Sequence, residues 1–420
     1  MGRIRFRSVK SVMDNAKNQD PPREAAAHGD AVRGSNQSGM RAHNERLVLT
    51  LVRQMGPLPK AEIARMTGLS AQTVSVIMRA LEADGLLEKG APIRGKVGQP
   101  SVPMGLVAQG AYFLGLKIGR RSLEMILVDF LGRVQGRAQT SHRFPEPDAV
   151  VRFAEKAMTQ LLGKLPVQHR KRLAGLGIAM PYRLWEWADA LKVDPAQMAA
   201  WQDRDVAVEI AQRLEVPVYL QNDASAACGA ELVFGDQDKP RNFLYFFVGF
   251  FVGGGLVLDN ALYTGRTGNA AALGSAPVPS GDGQMRQLVD LASLATLEKA
   301  LLNEGGNSDQ IWGDSQEWTV PAHLLEHWLD GAAQGLAHVI AGSVCLIEFD
   351  CVVIDGWMPD HLREALVART VAQLKRSALP GIDVPDIRVG TIGSDARALG
   401  AASLPLSNRF LVDRNALWKG

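Results

Sequence analysis

The chain has 420 residues, of which 46% are hydrophobic, and its 46 Lys and Arg against 44 Asp and Glu give a net charge of +2. That length leaves room for about three domains of ordinary size. We expect no membrane span, because the apolar stretch at residues 243–258 is interrupted by four glycines and is shorter than the roughly 20 residues that a span needs. The first residues of the chain are basic, but no apolar run follows them, which also argues against a secretory signal.

The cysteines indicate the cellular compartment of the protein, and the composition of the first forty residues indicates whether that segment is ordered. Cys228, Cys345 and Cys351 are an odd, scattered set in apolar surroundings, which indicates buried thiols in a cytoplasmic protein. Residues 1–40 are rich in Asn, Gln, Ala and Gly, and we expect them to form a disordered basic tail. Met40 is an alternative start of the protein.

Residues 58–82 predict a helix, a tight turn and a second helix. Gly68 suits the left-handed residue of the turn, and Ser70 suits the N-cap of the second helix. Apolar residues at helical spacing predict a buried stripe on that second helix. The stripe comprises Val74, Ile77, Met78 and Leu81.

The opposite face of the second helix carries the chemistry that reads base edges in a major groove. It offers amide, hydroxyl, methyl and guanidinium groups and no acidic residue, a combination typical of a recognition helix. The residues are Gln72, Ser75, Val76 and Arg79. The alternative is an ordinary two-helix corner of a core.

The flanking segments favour a winged helix-turn-helix over residues 41–105. Residues 84–89 predict the end of the helix and a strand, residues 92–100 a basic turn rich in Pro and Gly, and residues 102–104 a return strand. Upstream, a further helix is predicted by its apolar stripe. That stripe comprises Leu47, Val48, Leu51, Val52 and Met55.

This arrangement predicts a double-stranded DNA operator as partner. We expect Gln72, Ser75 and Arg79 to contact bases and Lys60, Arg94 and Lys96 to neutralise phosphates. Ser70 and Thr73, at the start of the recognition helix, are further candidates. Residues 1–105 carry 16 Lys and Arg against 9 Asp and Glu, a net of +7, whereas the remainder carries −5. A solvated basic surface without a partner is the alternative.

Beyond residue 106, strands alternate with helices in two similar halves. Residues 112–118 and 123–129 predict a β-hairpin, residues 173–180 a buried strand, and residues 217–220 another. A second hairpin at 243–258 repeats the layout. We therefore expect an α/β fold with a first lobe at 106–222, a second at 223–405 and a cleft between them. Residues 406–420 would return to the first lobe.

These segments resemble the ROK family, in which a winged helix joins a domain shared with bacterial sugar kinases of the actin-like ATPase fold. The resemblance covers residues 41–405. It is carried by the order and spacing of segments that are each weak alone. They are residues 217–227 with Glu231 and Phe234-Gly235, then Gly253-Gly254-Gly255 with 262–265, and finally 396–402.

The departures from the family pattern imply that ATP is not bound. Lys117 stands where kinases of the family carry an acidic residue near the metal–nucleotide. The second phosphate loop reads Gly249-Phe250-Phe251 where the family has Gly-Thr-Gly, and bulky rings obstruct a close backbone approach. Gly356-Trp357 replaces the Gly-Gly that admits the adenosine. We therefore expect no cofactor.

The positions at which the family binds sugar and zinc also differ from the family pattern. The resemblance places the family's sugar-binding Glu at Ala272 and its zinc-ligand His at Ser275, and no Cys follows in residues 278–291, so no zinc site is expected. Asp223 falls on the family's general base; its alternative role is to cap a helix beginning at Ala224. Asn222 is either a ligand contact or a turn residue. The histidines show no spacing typical of a metal site.

The cleft residues that we expect to bind a ligand are Asn222, Asp223 and Arg183. Trp185, Trp187 and Trp201 lie nearby in the sequence and would either stack on a sugar or belong to the core. Arg183 favours a phosphorylated or acidic sugar derivative.

Two classes of function compete. The first is a DNA-binding repressor of carbohydrate-related genes, with a catalytically inactive kinase-like domain that senses a sugar or sugar derivative and forms a homodimer or a dimer of dimers. The second is a ROK sugar kinase with an appended DNA-binding domain. A regulator that has lost its effector is a third alternative.

Overall fold

The computed structural model describes residues 31–92, 101–188, 193–235, 240–279, 283–314, 316–377 and 379–412. The predicted α/β architecture is confirmed: a winged helix-turn-helix unit precedes two lobes, each built on a five-stranded sheet. Within this part of the chain, none of the helices combines the length and apolar character that crossing a membrane requires.

The N-terminal unit packs three helices against a small antiparallel sheet. Its elements are α1 (Ala31–Met55), α2 (Lys60–Thr67), α3 (Ala71–Ala83), β1 (Leu58–Pro59), β2 (Leu87–Lys89) and β3 (Pro103–Leu106), with strand order β1-β3-β2. Gly68 ends α2 with a left-handed φ of 70°, and the Ser70 hydroxyl caps α3 by accepting from the Thr73 amide at 3.1 Å. The predicted helix pair is confirmed, as is the buried stripe on α3.

The first helix differs from the sequence-based expectation at both of its ends. Because α1 begins at Ala31, residues 31–40 are helical and the predicted boundary at residue 41 falls inside a helix; residues 1–30 lie outside the described residues. Met55 is 56% exposed and so does not belong to the buried stripe. The helix ends at Met55, and Gly56 turns the chain away with a φ of 79°.

The first lobe contains a mixed sheet of five strands in the order β6-β5-β4-β7-β8. Its elements are β4 (Tyr112–Ile118), β5 (Ser122–Asp129), β6 (Val134–Ser141), α4 (Pro147–Gly163), α5 (Val167–Arg170), β7 (Leu173–Met180), α6 (Pro195–Asp203), α7 (Val206–Leu214) and β8 (Val218–Asn222). The predicted hairpin is the antiparallel pair β4–β5, whereas β4, β7 and β8 run parallel. The strands β4 and β7 are buried along almost their whole length, as their apolar runs predict.

The second lobe repeats this plan with the strand order β11-β10-β9-β14-β15. Its elements are α8 (Asp223–Phe234), β9 (Phe243–Val248), β10 (Val252–Leu258), β11 (Ala261–Leu262), β12 (Pro277–Pro279), β13 (Met285–Gln287), α9 (Leu288–Ala292), α10 (Leu294–Asn303), α11 (Asp309–Trp312), α12 (Ala322–Val344), β14 (Cys351–Gly356), α13 (Asp360–Leu374), β15 (Asp386–Val389) and α14 (Ala396–Phe410). The strands β12 and β13 form a separate two-stranded sheet.

Two helices, α8 and α14, pack against each other between the lobes. The helix α8 lies on β9 and β10, whereas α14 lies on β4, β5 and β7 of the first lobe. Glycines permit this close approach: a Cβ at Gly177 would come within 1.7 Å of the Ala401 carbonyl oxygen, and one at Gly400 within 1.9 Å of the Ala226 carbonyl oxygen. The chain therefore returns to the first lobe at Ala396, ten residues earlier than the predicted segment 406–420.

The winged unit shares a hydrophobic core with the back of the first lobe. Phe130 is fully buried, its ring centroid lies 5.0 Å from that of Phe410, and the Arg53 guanidinium of α1 stacks on it at 5.2 Å. Arg53 also donates to the Phe130 carbonyl oxygen, and burial lowers its pKa to about 10. Beyond α14, the Val412 amide donates to the Thr50 hydroxyl at 3.1 Å. The end of α14 therefore contacts the winged unit directly.

The cysteine prediction holds for two of the three thiols. Cys228 and Cys351 are buried, and burial raises the pKa of both. Cys345 is exposed, contrary to the prediction. It follows the last residue of α12, where the chain leaves the lobe, and its thiol donates to the Ala341 carbonyl oxygen at 3.1 Å.

Candidate nucleic-acid interface and interlobe cleft

The solvent-facing side of α3 presents the polar residues that the sequence places there. Gln72, Val76 and Arg79 are exposed, and Ser75 is half-buried. The Arg79 guanidinium donates through Nε to the Ser75 carbonyl oxygen at 3.2 Å, and its Nη groups make no hydrogen bond to any residue that the structure describes. Because α3 is anchored by a buried stripe on its other side, this face has a fixed orientation on the surface.

The remaining residues that we predicted to contact DNA differ in their position and burial around this face. Lys60 is the first residue of α2 and is half-buried, while Ser70 and Thr73 lie at the start of α3 with their hydroxyls 2.8 Å apart. The Ser70 hydroxyl caps the helix, and the Thr73 hydroxyl contacts it. Arg94 and Lys96 lie outside the described residues, so their placement stays a prediction.

On the side where the resemblance places a nucleotide, Lys117 forms a buried ionic network. It is 4% exposed and donates to Glu124 at 3.0 Å, and Glu124 also contacts Arg137, which binds Asp395 at 2.8 Å. Burial lowers the pKa of Lys117, and Arg397 lowers it further. Although burial alone would raise the pKa of Glu124, Lys117 and Arg137 lower it. Lys117 is therefore held inside the protein by its ion pair with Glu124.

Aromatic rings and guanidinium groups fill the adjoining space between the lobes. Phe250 and Phe251 form the turn between β9 and β10, with ring centroids 4.9 Å apart. The guanidinium of Arg120, from the turn between β4 and β5, lies 4.1 Å from the centroid of Phe251 and 5.9 Å from that of Phe250. Side chains of the two lobes therefore contact each other at the turn where the family pattern has its Gly-Thr-Gly phosphate loop.

A second layer extends this packing. Trp312 lies between Phe250 and Trp357 and is tilted against both rings, with ring centroids 5.9 and 6.5 Å away. Its indole donates to Glu298 at 3.0 Å, and Glu298 also binds Arg121. Trp357 was identified from the sequence, but Trp312, Arg120 and Arg121 were missed. A signal for the two arginines was present, because they lie three and four residues after Lys117, which the resemblance places near the nucleotide.

A cleft of about 260 Å³ lies next to this packed region. The three residues that we predicted as ligand contacts, Asn222, Asp223 and Arg183, all line it. The rest of its lining comprises Arg120, Pro181, Tyr182, Glu186, Ala224, Phe247, Phe251, Val252, Gly253, Gly254, Asn269, Ala271, Ala272, Gly274, Ser275 and Val289. The two positions at which the family pattern has Glu and His, Ala272 and Ser275, therefore face the same cleft as Asp223.

The residue that caps the helix at this cleft is Asn222, and Asp223 is the first residue of that helix. The Asn222 carboxamide oxygen accepts from the Ala224 and Ser225 amides at 2.9 and 3.3 Å, and its amide donates to Asn269 at 3.2 Å. Asp223 accepts from the Ala224 amide at 3.0 Å, and its other oxygen lies 3.6 Å from Arg397. Arg397, which the sequence analysis missed, thus neutralises the carboxylate at the family's general-base position.

Arg183 pairs with a neighbouring carboxylate, and two of the three tryptophans follow the core alternative given for them above. Arg183 adopts a left-handed φ of 47° and is exposed, and its guanidinium forms an exposed ion pair with Glu186 at 3.0 Å. Trp201 is buried and its indole donates to the Pro145 carbonyl oxygen at 2.8 Å. Trp185 packs against the core of the first lobe. Trp201 is therefore a core residue and Trp185 a partly buried residue at the edge of that core; the side chain of Trp187 lies outside the described residues.

Comparisons of the sequence with known proteins agree with this architecture. The model of the ROK family matches residues 113–407, and a model described as winged helix-turn-helix DNA-binding matches residues 41–88. An uncharacterized protein of Sinorhizobium fredii, y4fQ, is 26% identical over 88% of this chain and 92% of its own length. A xylose repressor of Caldicellulosiruptor bescii is 24% identical over 71% of this chain and 76% of its own.

Solved structures show the same fold. A ROK family transcriptional regulator, described as a homologue of the E. coli MLC protein, superimposes with a TM-score of 0.65 at 18% identity, over 88% of this chain and 97% of its own. A ROK family glucokinase from Streptomyces griseus, solved with glucose and AMPPNP, gives a TM-score of 0.53 at 17% identity over 70% of this chain and 99% of its own. At these identities the likeness concerns the fold alone.

Proposed function

Because the chain belongs to the ROK family, we propose that it is a DNA-binding transcription regulator, a repressor of carbohydrate-related genes. The observation that carries the proposal is the exposed face of α3. It presents Gln72, Val76 and Arg79 to solvent on a helix whose other side is buried. The match to a DNA-binding winged helix and the similarity to proteins named xylose repressors support it.

In this proposal α3 enters the major groove. Gln72 and Arg79 have the amide and guanidinium groups that pair with adenine and guanine edges, and Ser75 adds a hydroxyl. Lys60 contacts phosphate from the start of α2, with Ser70 and Thr73 beside it and Arg94 and Lys96 reaching the backbone from the wing. A homodimer or dimer of dimers would place two such helices on half-sites about 34 Å apart.

Selection from a random pool of DNA duplexes by the full chain tests this function. We expect the selected sequences to share an inverted repeat with half-sites about one helical turn apart. The same duplexes should bind more weakly as salt rises, because phosphate contacts release counterions. A pool that shows no common sequence after several rounds would contradict the proposal.

The kinase-like part of the chain acts in this proposal as a sensor without turnover. Phosphoryl transfer needs close backbone approach to the phosphates and a metal-binding acid. Here Phe250 and Phe251 occupy the turn between β9 and β10, Arg120 stacks on both rings, and Lys117 is buried against Glu124. Asp223 is bound by Arg397 at 3.6 Å. A small molecule would therefore occupy the cleft as an effector.

We predict that the purified chain transfers no phosphate from ATP with magnesium to hexoses, pentoses or amino sugars above the background of an enzyme-free reaction. The physical reason is that rings and cations fill the space between the lobes. A coupled assay for ADP measures it, with an active ROK glucokinase as the positive control. Turnover that disappears in Asp223→Asn would show that the chain is a kinase.

A further inference from the structure

The first helix of the winged unit extends well beyond the core to which it belongs. The helix α1 begins at Ala31, whereas Val48 is a fully buried residue of the core. At about 1.5 Å per residue, the part of the helix before Val48 is about 25 Å long. Residues 39–43 are exposed, so these turns do not pack against the rest of the chain that the structure describes. We call residues 31–46 the outer segment of α1.

The opposite ends of α1 and α3 show on which side of the molecule the outer segment lies. Near the end of α1, Arg53 donates to the Phe130 carbonyl oxygen of the first lobe. The turn that follows α3 also contacts this lobe, because Arg172 donates to the Gly85 carbonyl oxygen at 3.4 Å. Both helices therefore begin on the side of the winged unit that points away from the first lobe. The outer segment and the start of α3 share that side.

The composition of the outer segment suits a nucleic acid better than a protein partner. Residues 31–44 contain two arginines, a histidine, five side chains with an amide or hydroxyl group and no carboxylate, and their larger apolar residues are limited to Val32 and Met40. A helix without an apolar stripe has little to bury against a protein or a second copy of the chain. Guanidinium, amide and hydroxyl groups are the donors that contact phosphates in protein–DNA complexes.

The outer segment also lacks the residues that would stabilise it as a helix by itself. Gly34 and Gly39 disfavour a helix, and serine and asparagine are less favourable than alanine. Arg41 pairs with Glu45 at 2.9 Å, but this ion pair is exposed and contributes little. The anchored half of α1 nucleates these turns, and contacts with a partner would stabilise them further. A polyanion complements the charge of the segment.

We propose that the outer segment of α1 binds the sugar–phosphate backbone of the duplex beside the half-site that α3 reads. Arg33 and Arg41 neutralise phosphates, and the amide and hydroxyl side chains donate hydrogen bonds to phosphate oxygens. Contacts of this kind raise the affinity for DNA without reading its sequence. This inference rests on the proposed DNA-binding function and adds a contact surface to the recognition helix and the wing.

The double substitution Arg33→Gln/Arg41→Gln in the full chain tests the proposal. We expect its affinity for the selected operator and for random duplex to fall about tenfold alike, so that the ratio of the two stays at the wild-type value. The dependence of affinity on salt should decrease by about two charges per protomer, because each phosphate contact releases about one counterion. Fluorescence anisotropy over a series of sodium chloride concentrations measures both quantities. Arg33→Lys/Arg41→Lys retains the charge and should keep most of the affinity.

Arg213→Gln is the matched control for the loss of charge. Arg213 is an exposed residue of α7 in the first lobe and pairs with Glu155 at 3.1 Å, much as Arg41 pairs with Glu45. This variant should bind both duplexes with the affinity and salt dependence of the wild type.

Amide hydrogen exchange of the wild-type chain provides a second readout that involves no substitution. Adding the operator duplex should slow exchange in residues 31–46, because bound DNA stabilises the helix and covers one side of it. Exchange in α7 should not change.

The proposal is overturned if the double glutamine variant binds both duplexes with the affinity and salt dependence of the wild type, or if DNA leaves exchange in residues 31–46 unaltered. It is also overturned if light scattering gives this variant a smaller particle mass than the wild type, since the segment would then join two copies of the chain. In each of these outcomes the wild-type chain still binds DNA and the proposed function stands. A wild-type chain that binds no duplex would overturn both.

Discussion

Replacing Gln72, Ser75 and Arg79 together by alanine is expected to reduce the preference for the selected operator over random duplex by about a thousandfold, since each lost base contact is worth about 1–3 kcal/mol. Gln72 and Arg79 are exposed and Ser75 is half-buried, and none belongs to the buried stripe of α3. The melting temperature should therefore stay close to that of the wild type. Fluorescence anisotropy with both duplexes measures the ratio.

Two controls separate base reading from general attraction to DNA. Arg65→Ala removes an exposed arginine of α2 that is paired with Glu62, and it should leave the preference unchanged. Lys96→Ala should weaken all sequences alike and reduce the salt dependence by about one charge. A triple variant that keeps the wild-type preference would show that α3 is not the recognition helix.

Gly400→Ala is expected to lower the free energy of unfolding by about 3 kcal/mol. A Cβ at this position would lie 1.9 Å from the Ala226 carbonyl oxygen, so α8 and α14 would have to move apart. A backbone atom cannot yield as a side chain does, and the higher helix propensity of alanine, worth about 1 kcal/mol, cannot offset the clash. Urea unfolding measures the change.

Gly229→Ala is the matched control because it adds the same methyl group to the same helix pair. There the new Cβ would meet the Ser403 hydroxyl at 3.5 Å and Leu262 at 3.6 Å, which are ordinary contact distances. We expect this variant to be as stable as the wild type or slightly more stable. Equal effects of the two substitutions would mean that the interface between the lobes is looser than the structure describes.

Local sequence patterns were sufficient to predict the helices and strands whose own residues show a clear apolar spacing. The stripe from Val74 to Leu81 specifies one face of α3, and the spacing of Gly68 and Ser70 specifies the turn before it. The strands at 112–118 and 173–180 are predicted correctly because a strand buried on both faces is apolar throughout. These predictions depend only on neighbours in the chain.

The contacts that distinguish the cleft could not be predicted in this way. Arg120 meets Phe251, and Arg397 meets Asp223, across separations of more than a hundred residues. Spacing along the chain carries no information about such pairs. It also left open whether Asp223 is the general base of the family pattern or a helix cap, and in the structure the cap is Asn222. Arg183 was correctly placed at the cleft, but its pairing with Glu186 is a detail of loop geometry.

The ends of elements were also difficult to predict. The composition of residues 31–40 suggests disorder, yet these residues extend α1. A polar segment can therefore continue a helix whose later turns are anchored by buried residues. Met55 and Cys345 were assigned to the interior from their apolar neighbours. Both lie where a helix terminates and the chain leaves the core, and both are exposed.

A transcription reporter tests the central claim most directly. A promoter that overlaps the selected duplex sequence drives the reporter in a heterologous bacterial host, with the wild-type chain or the triple alanine variant of α3 expressed in parallel. We predict that the wild-type chain lowers the reporter output severalfold or more and that the triple variant leaves it at the level of an empty vector. Equal output from all three strains would contradict the assignment of this chain as a DNA-binding repressor.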